Sequence, residues 1–145
     1  MILQQISVFV ENRPGALEEL TQLLAEAQID LRALNIAESS DYGVLRLITS
    51  HPHKTAAVLQ QHQIPVTLTP ITVVAVPDRP GGLGELLQLL SSEGINILYM
   101  YSAFSHRNGT AHMAFRVDDP EALETLLAKH HMPAALPEDL GIEKE

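Results

Sequence analysis

A short segment that could bind an anion occurs twice in this chain. The sequence Asn-Arg-Pro-Gly at 12–15 returns as Asp-Arg-Pro-Gly at 78–81, each time before leucines at helical spacing. The first amides of a helix point outward and carry a partial positive charge, which suits a carboxylate. Gly15, and Gly81 with Gly82 in the second copy, allow a ligand to approach the backbone closely. The pattern therefore indicates two candidate anion sites.

The same residues also have a purely structural interpretation. The glycines can serve only the tight turn, and Asn12 or Asp78 can act only as the cap of the helix that follows. Arg13 and Arg79 each lie beside a proline in a turn, so we expect them to be solvated rather than to clamp a carboxylate. The sequence alone leaves both interpretations open.

The two copies are not equivalent. Asp78 replaces Asn12, Gly82 replaces Ala16, and Gly84 stands where the first copy has a glutamate. These changes predict more negative charge and more room in the second copy. Gly84 weakens its helix by about 1 kcal/mol relative to alanine. We expect that cost to reflect close packing or ligand approach, and if one copy alone is functional we expect the second.

Apolar and turn residues predict the same order of elements around each copy. A β-branched run precedes the segment, a leucine-periodic helix follows it, and a hairpin, a second helix and a short strand complete the half. In the first half the predicted strands are 2–10, 31–37, 44–49 and 66–68, and the predicted helices are 17–27 and 53–62. In the second half the predicted strands are 71–76, 95–104, 113–117 and 132–136, and the predicted helices are 83–90 and 120–127, with a hairpin turn at 108–109. Asp119, followed by Pro120, is expected to cap the second of these helices.

Each half therefore has the βαββαβ order of a ferredoxin-like unit, in which two helices cover one face of an antiparallel sheet. The predicted fold class is α+β with two tandem ferredoxin-like domains, at 1–69 and 70–145. A unit of roughly 70 residues has a marginal core by itself. We therefore expect the halves to pack on each other or on a second copy of the chain.

The composition argues against several classes of function. A formal net charge of −9 in 145 residues argues against a nucleic-acid partner, because phosphate binding needs clustered lysine and arginine. The absence of cysteine excludes disulfides and thiolate chemistry. The seven histidines lack the helical pairing with an acidic residue that zinc sites show, so we expect no metal and no cofactor. No apolar run approaches the length of a membrane span, and we expect a cytoplasmic protein with no membrane partner.

The doubled segment strongly resembles a motif of the ACT-domain family. In that family the turn between the first strand and first helix carries Asn or Asp, then Gly three positions later, then Leu, as at 12–17 and 78–83 here. The resemblance covers nearly the whole chain as two ACT domains, and the strand at 99–104 is similar to one in stand-alone tandem ACT proteins. It implies a non-catalytic, allosteric regulatory protein that binds a free amino acid, usually between two copies of the domain. No residues are left over for a catalytic domain, so we expect no enzymatic activity.

The resemblance also implies a set of ligand-binding residues. The backbone near Gly15 to Leu17 and near Gly81 to Leu83 would hold the carboxylate, and Asn12 and Asp78 the ammonium group. Residues on the second strand of each half would line the pocket for the side chain. The full predicted set is Asn12, Gly15, Ala16, Leu17, Asn35, Asp78, Gly81, Gly82, Leu83, Tyr99 and Tyr101. Tyr99 and Tyr101 share one face of a strand, and an interface between halves or chains would explain them equally well.

Three functions remain open at this point. The first is an amino-acid sensor, expected to be a homodimer, that signals to a partner enzyme of amino-acid metabolism. The second is an interaction module without a small ligand, in which the domains only dimerise and dock a partner enzyme. The third is a small catalyst of the acylphosphatase type, which would need a glycine-framed phosphate loop with matched arginine and asparagine. The sequence offers no convincing loop of that kind.

Overall fold

Residues 1–104 and 109–142 are described in the computed structural model of the protein. The strands are β1 Ile2–Glu11, β2 Leu31–Glu38, β3 Tyr42–Thr49, β4 Thr67–Pro77, β5 Ile97–Ala103 and β6 Thr110–Val117. The helices are α1 Ala16–Glu26, α2 Pro52–Gln61, α3 Gly82–Ser92 and α4 Pro120–Lys129, followed by a short 3-10 helix, Pro137–Leu140. None of the helices in these residues is long and apolar enough to cross a membrane.

The chain divides into two compact units that nearly follow its two halves. The N-terminal unit contains Gln4–Thr69, and the C-terminal unit contains Met1–Leu3 with Pro70–Gly141. The first residues of β1 therefore belong to the C-terminal unit, and the first residues of β4 belong to the N-terminal unit. The domain boundary that the sequence suggests, between residues 69 and 70, stays a prediction.

The N-terminal unit is built on an antiparallel sheet with β3 in its centre. Strand β3 pairs with β1 and with β2, so that Leu47 lies opposite Ile6 on one side and Leu34 on the other. One face of these strands packs against both helices of the unit. The buried members of this core are Ile6, Val8, Val10, Ala16, Leu20, Leu24, Ile29, Leu45, Leu47 and Leu59. Helix α1 buries Leu20 and Leu24, four positions apart as the sequence predicts, whereas α2 buries the single leucine Leu59.

The C-terminal unit repeats this arrangement with β6 between β4 and β5. Val74 and Val76 of β4 and Phe115 and Val117 of β6 pack against apolar residues of α3 and α4. The chain's first residue joins this unit through the backbone, because the Val73 amide donates to the Met1 carbonyl over 2.8 Å. The Met1 ammonium group also donates to the carbonyl of Val73 and contacts the Glu124 carboxylate.

Two predicted features of the strands are wrong. The strands expected at 66–68 and 71–76 run as one element, β4, with Pro70 inside it. The strand expected at 132–136 is absent, and this segment has an irregular backbone. Pro133 and Pro137 have no N–H to donate to a ladder, and His131 has a positive φ of 53° that interrupts an extended path. The predicted hairpin turn falls partly outside the described residues, and its glycine, Gly109, has φ 71°.

The segment after α4 instead crosses the face of the sheet that points away from the helices. On β6, His112 alternates with Met113, which packs with the helices, so His112 faces the opposite side. The Asp139 carboxylate lies 3.4 Å from Nε2 of His112, whose side chain is fully buried. Leu140 is also fully buried. We call this surface of the C-terminal unit its outer face.

Replacing the cap of α4 should destabilise the protein. The Asp119 carboxylate accepts a hydrogen bond from the Ala122 amide over 2.9 Å, which confirms the cap predicted from the Asp-Pro pair. Asp119→Ala leaves that amide without its partner and should lower the free energy of unfolding by about 1 kcal/mol, measured by urea denaturation. The matched control is Asp118→Ala, an exposed neighbour that caps nothing. Equal losses in the two variants would contradict the capping role.

Candidate functional site

A glycine in the left-handed conformation begins the first helix of each unit. Gly15 has φ 86° and ψ −15° before α1, and Gly81 has φ 86° and ψ −12° before α3. This region is strained for residues with a Cβ, so the turn itself requires glycine. No side chain caps either helix. The alternative in which Asn12 or Asp78 caps the helix is therefore wrong, whereas a structural role of the glycines in the turn is confirmed.

The turn leaves two amides of each helix directed outward. The Ala16 amide donates to the Arg13 carbonyl over 3.4 Å, and the Glu19 amide to the Gly15 carbonyl over 2.9 Å. Between them, the amides of Leu17 and Glu18 donate to no group in the described part of the chain. The second copy has the same pattern, with donors at positions 82 and 85 and outward amides at 83 and 84. Such amides at a helix start favour an anion.

The two loop arginines are engaged by glutamates of the helix that follows. Arg13 donates to both carboxylate oxygens of Glu19, over 3.0 and 2.7 Å, and its Nε donates to Glu11 over 2.8 Å. Hydrogen bonds with Glu19 and then Glu11 raise the pKa of Arg13, and the bond from Arg13 lowers the pKa of Glu19. Arg79 contacts both oxygens of Glu85 over 2.8 Å. Both arginine side chains are exposed, at 44% and 53%, as expected for solvated loop arginines, and each also forms an ion pair with a glutamate of the following helix.

Asn12 and Asp78 fasten their loops to the neighbouring hairpin through the backbone. The Asn12 amide donates to the Asp41 carbonyl over 3.0 Å, and the Asp78 amide to the Gly109 carbonyl over 3.1 Å. Asn12 Nδ2 points to the Ser40 carbonyl at 3.5 Å, and both predicted ammonium-binding side chains are exposed. The side chains are thus accessible beside the outward amides, as a bound amino acid would require.

The first copy borders a cleft of about 200 Å³. Its lining brings the predicted residues Asn12 and Leu17 together with the β2–β3 hairpin. The complete lining is Val10, Glu11, Asn12, Arg13, Leu17, Ile36, Glu38, Ser39, Tyr42 and Gly43. The hairpin wall was not predicted as part of the site. The signal for it is the pairing of the first and third strands, which places Tyr42 opposite Glu11.

The structure does not bring Asn35 into this cleft. Asn35 pairs with Arg46, whereas the next residue, Ile36, pairs with the core residue Leu45. Asn35 and Ile36 therefore lie on opposite faces of β2, and Ile36 is the one that lines the cleft.

Tyr99 and Tyr101 lie on the outer face of the C-terminal unit. Their rings stack with centroids 6.5 Å apart and planes 18° apart, as expected for residues on one face of a strand. Tyr101 pairs with Ala114, which alternates with the helix-packed Met113 and Phe115. Tyr101 is only 7% exposed. The two rings therefore support each other on the outer face.

Comparison with known proteins agrees with this geometry. A family model described as an ACT domain pair matches residues 1–140. The chain belongs to that family. The predicted ACT resemblance and the α+β, ferredoxin-like fold class are thereby confirmed. A search of curated proteins found no match to the sequence.

Solved structures show the same fold over nearly the whole ACT pair. A protein from Bacteroides thetaiotaomicron is 36% identical with a TM-score of 0.89, over 97% of this chain and 96% of that chain. The ligand-free regulatory subunit of aspartate kinase from Thermus thermophilus is 14% identical with a TM-score of 0.62, over 89% and 96% of the two chains. The regulatory subunit from Thermus flavus is 17% identical with a TM-score of 0.62, over 90% and 94%. The two kinase subunits, at these identities, show a likeness of fold alone.

The extra glycines of the second ACT copy differ in their surroundings. A Cβ on Gly82 would lie 2.2 Å from the Pro77 carbonyl oxygen, so the room expected there is occupied by the backbone. A Cβ on Gly84 would meet nothing within 4 Å. Close packing therefore does not explain Gly84 among the described residues. Among those residues, no group of three or more His, Asp or Glu side chains is placed to hold a metal ion.

Replacing Gly82 and replacing Gly84 by alanine should change the stability of the protein in opposite directions. Gly82→Ala forces a methyl group against the Pro77 carbonyl and should lower the free energy of unfolding by about 1–3 kcal/mol. Gly84→Ala adds helix propensity in open space and should raise it by up to about 1 kcal/mol. Chemical denaturation of the two variants and the parent chain measures both effects. A stabilised Gly82→Ala variant would contradict the backbone contact.

Proposed function

We propose that this ACT pair is a non-catalytic regulatory protein that binds a free amino acid and signals to a partner enzyme of amino-acid metabolism. The observation that carries the proposal is the glycine-started helix, whose outward amides border an open cleft. Carboxylate and ammonium groups then have separate partners within one small volume. In this proposal the two ACT domains span residues 1–69 and 70–145, and the protein is cytoplasmic.

The first cleft suits an amino acid in three respects. The amides of Leu17 and Glu18 offer hydrogen bonds to a carboxylate, strengthened by the positive end of α1. The Asn12 side chain offers an oxygen to an ammonium group. Ile36 and Tyr42 provide an apolar wall for the side chain of the ligand. Arg13 takes no part in this scheme, because Glu19 and Glu11 already engage its guanidinium group.

The edge strands support assembly with a second copy of the chain. Strand β2 lies at one end of its sheet and exposes Leu34 and Ile36, which are 46% and 44% accessible. Strand β5 lies at the edge of the other unit and exposes Leu98, which is 50% accessible. Apolar edge strands invite pairing with another chain. A homodimer formed through β2 would cover Ile36 and enclose the cleft beside it.

The same exposed edges favour a second candidate function. The protein would then be an interaction module in which ACT pairs dimerise and dock a partner enzyme without a small ligand. The two candidates differ in whether a free amino acid stabilises the folded protein.

An amino-acid panel separates these candidates. We expect one class of amino acid to raise the thermal midpoint, since a ligand at 100 times its dissociation constant adds about 2.7 kcal/mol of stability. Asn12→Ala should abolish the shift if the first cleft is occupied, and Asp78→Ala if the second turn is. Asp118→Ala is a matched control that removes a carboxylate away from both turns. If no amino acid shifts the thermal midpoint, the result would contradict the sensor and favour the interaction module.

The dimer can be tested independently of any ligand. Ile36→Lys places a charge on the β2 edge and should raise the dimer dissociation constant at least about tenfold, because charged edges resist strand pairing. Phe9→Lys is the control, since Phe9 is 73% exposed on the other face of its sheet. Sedimentation equilibrium measures both variants. A monomeric parent chain, or equal effects of the two substitutions, would contradict assembly through β2.

A further inference from the structure

Gly43 and Ile36 are neighbours in the lining of the first cleft. A Cβ on Gly43 would lie 2.9 Å from Cδ1 and 3.0 Å from Cγ1 of Ile36. Non-bonded carbon atoms prefer separations of about 3.5–4.0 Å, so the isoleucine occupies the space that a side chain at residue 43 would need. Gly43 is buried, whereas Ile36 is accessible from the cleft and from the edge of the sheet.

The backbone does not explain why residue 43 is glycine. Gly43 lacks the positive φ of Gly15 and Gly81, so its strand conformation is open to residues with a Cβ. The Ala37 carbonyl oxygen would lie 3.5 Å from the added Cβ, which is an ordinary contact. The side chain of Ile36 is therefore what favours glycine at this position.

The second copy of the domain has alanine at the position that matches Gly43. Gly43 pairs with Val10, near the end of β1, and Ala111 pairs with Val76, near the end of β4. Each of these valines lies five positions before the left-handed glycine that begins the helix of its unit. A methyl group is thus compatible with this position of the fold.

The residue that matches Ile36 changes size in the opposite direction. Ile36 pairs with the residue two positions after Gly43. Ser102 pairs with the residue two positions after Ala111, so Ser102 matches Ile36. A large side chain accompanies glycine in the first copy, and a small one accompanies alanine in the second. Such a reciprocal change is expected of two residues that share one closely packed space.

The walls of the first cleft favour an aliphatic side chain. Leu17 and Ile36 give it accessible apolar surface. The lining carboxylates of Glu11 and Glu38 would repel an acidic side chain. The guanidinium group of Arg13 is already engaged by two glutamates, so it offers such a side chain little compensation.

We propose that the packing of Ile36 against Gly43 sets the largest aliphatic side chain that the first cleft accepts. This inference rests on the proposed function, in which the cleft binds a free amino acid. Because both residues line the cleft, a methyl group added at residue 43, or the isoleucine that it displaces, takes up room available to the ligand. Shortening residue 36 gives room back. The two residues together therefore determine the specificity of the cleft.

Gly43→Ala tests this limit through the affinities of a series of amino acids. Glycine, alanine, valine, leucine and norleucine are titrated calorimetrically against the parent chain and the variant. For the longest member that the parent binds, the dissociation constant should rise at least about tenfold more than for the shortest, because one methylene in an apolar pocket changes affinity about 10–200-fold. This ratio reports selectivity, so a general loss of stability would not change it. Val44→Ala is the matched control, since the next residue of a strand faces the other side of the sheet and should leave the ratio unchanged.

Ile36→Val supplies the compensating change. It removes Cδ1, the atom nearest to the added Cβ, and keeps the β2 edge apolar for pairing with a second copy. Combined with Gly43→Ala, it should restore most of the lost affinity for the longest member. Alone, it should extend the accepted series by about one methylene.

The outcomes distinguish this inference from the proposed function. If the parent chain binds no amino acid, both are contradicted. If the parent binds the series but Gly43→Ala keeps the same ratio of affinities, the size limit is wrong and the amino-acid sensor stands. Tighter binding of lysine than of norleucine by the parent would overturn the aliphatic class and would likewise leave the sensor in place.

Discussion

The left-handed backbone of Gly15 and Gly81 is the constraint on which both candidate sites depend. Each helix begins directly after this residue, which has no side chain, and no loop side chain caps the helix. The outward amides therefore stay available, and the arginine two positions earlier reaches forward to the first turns of the helix. Arg13 with Glu19, and Arg79 with Glu85, fasten the loop to the helix in the same way. The motif thus combines a turn, an ion pair between loop and helix, and a helix end whose outward amides favour an anion.

Local patterns predicted most of the fold because most of its elements carry local signals. Alternating apolar residues located the strands, and leucine periodicity and the Asp119 cap located the helices. The errors lie in segments whose conformation depends on residues that are distant in the sequence. The Val73 backbone pairs with Met1, which is 72 positions away along the chain. Pro133 and Pro137 are local signals against a strand near residue 132, but no local signal shows that Met1 already occupies this place beside β4. The path of residues 132–141 likewise depends on contacts with the outer face, such as that of Asp139 with His112, which no local pattern encodes.

The candidate site was predicted only on the side that belongs to the repeat. Asn12 and Leu17 are part of the repeated segment, and the structure places both in the cleft. The opposite wall comes from the hairpin, and its position beside the loop results from strand pairing. Asn35 illustrates the limit, because period-two alternation fixes which residues share a face but not which face meets the helices. That choice became visible only from the pairing of Ile36 with the core residue Leu45.

The two copies share a backbone turn but differ in what surrounds it. Pro77 stands where the first copy has Glu11, so Arg79 lacks the second carboxylate that Arg13 has. The carbonyl of Pro77 also fills the space beside Gly82 that the sequence suggested for a ligand. The backbone at the end of β4 therefore explains why residue 82 is glycine, without any bound molecule. What distinguishes the second copy at its turn is then the charge of Asp78 and the open space at Gly84, not room beside Gly82. Under the proposed function, selectivity between the two turns should therefore depend on the ammonium end of the ligand.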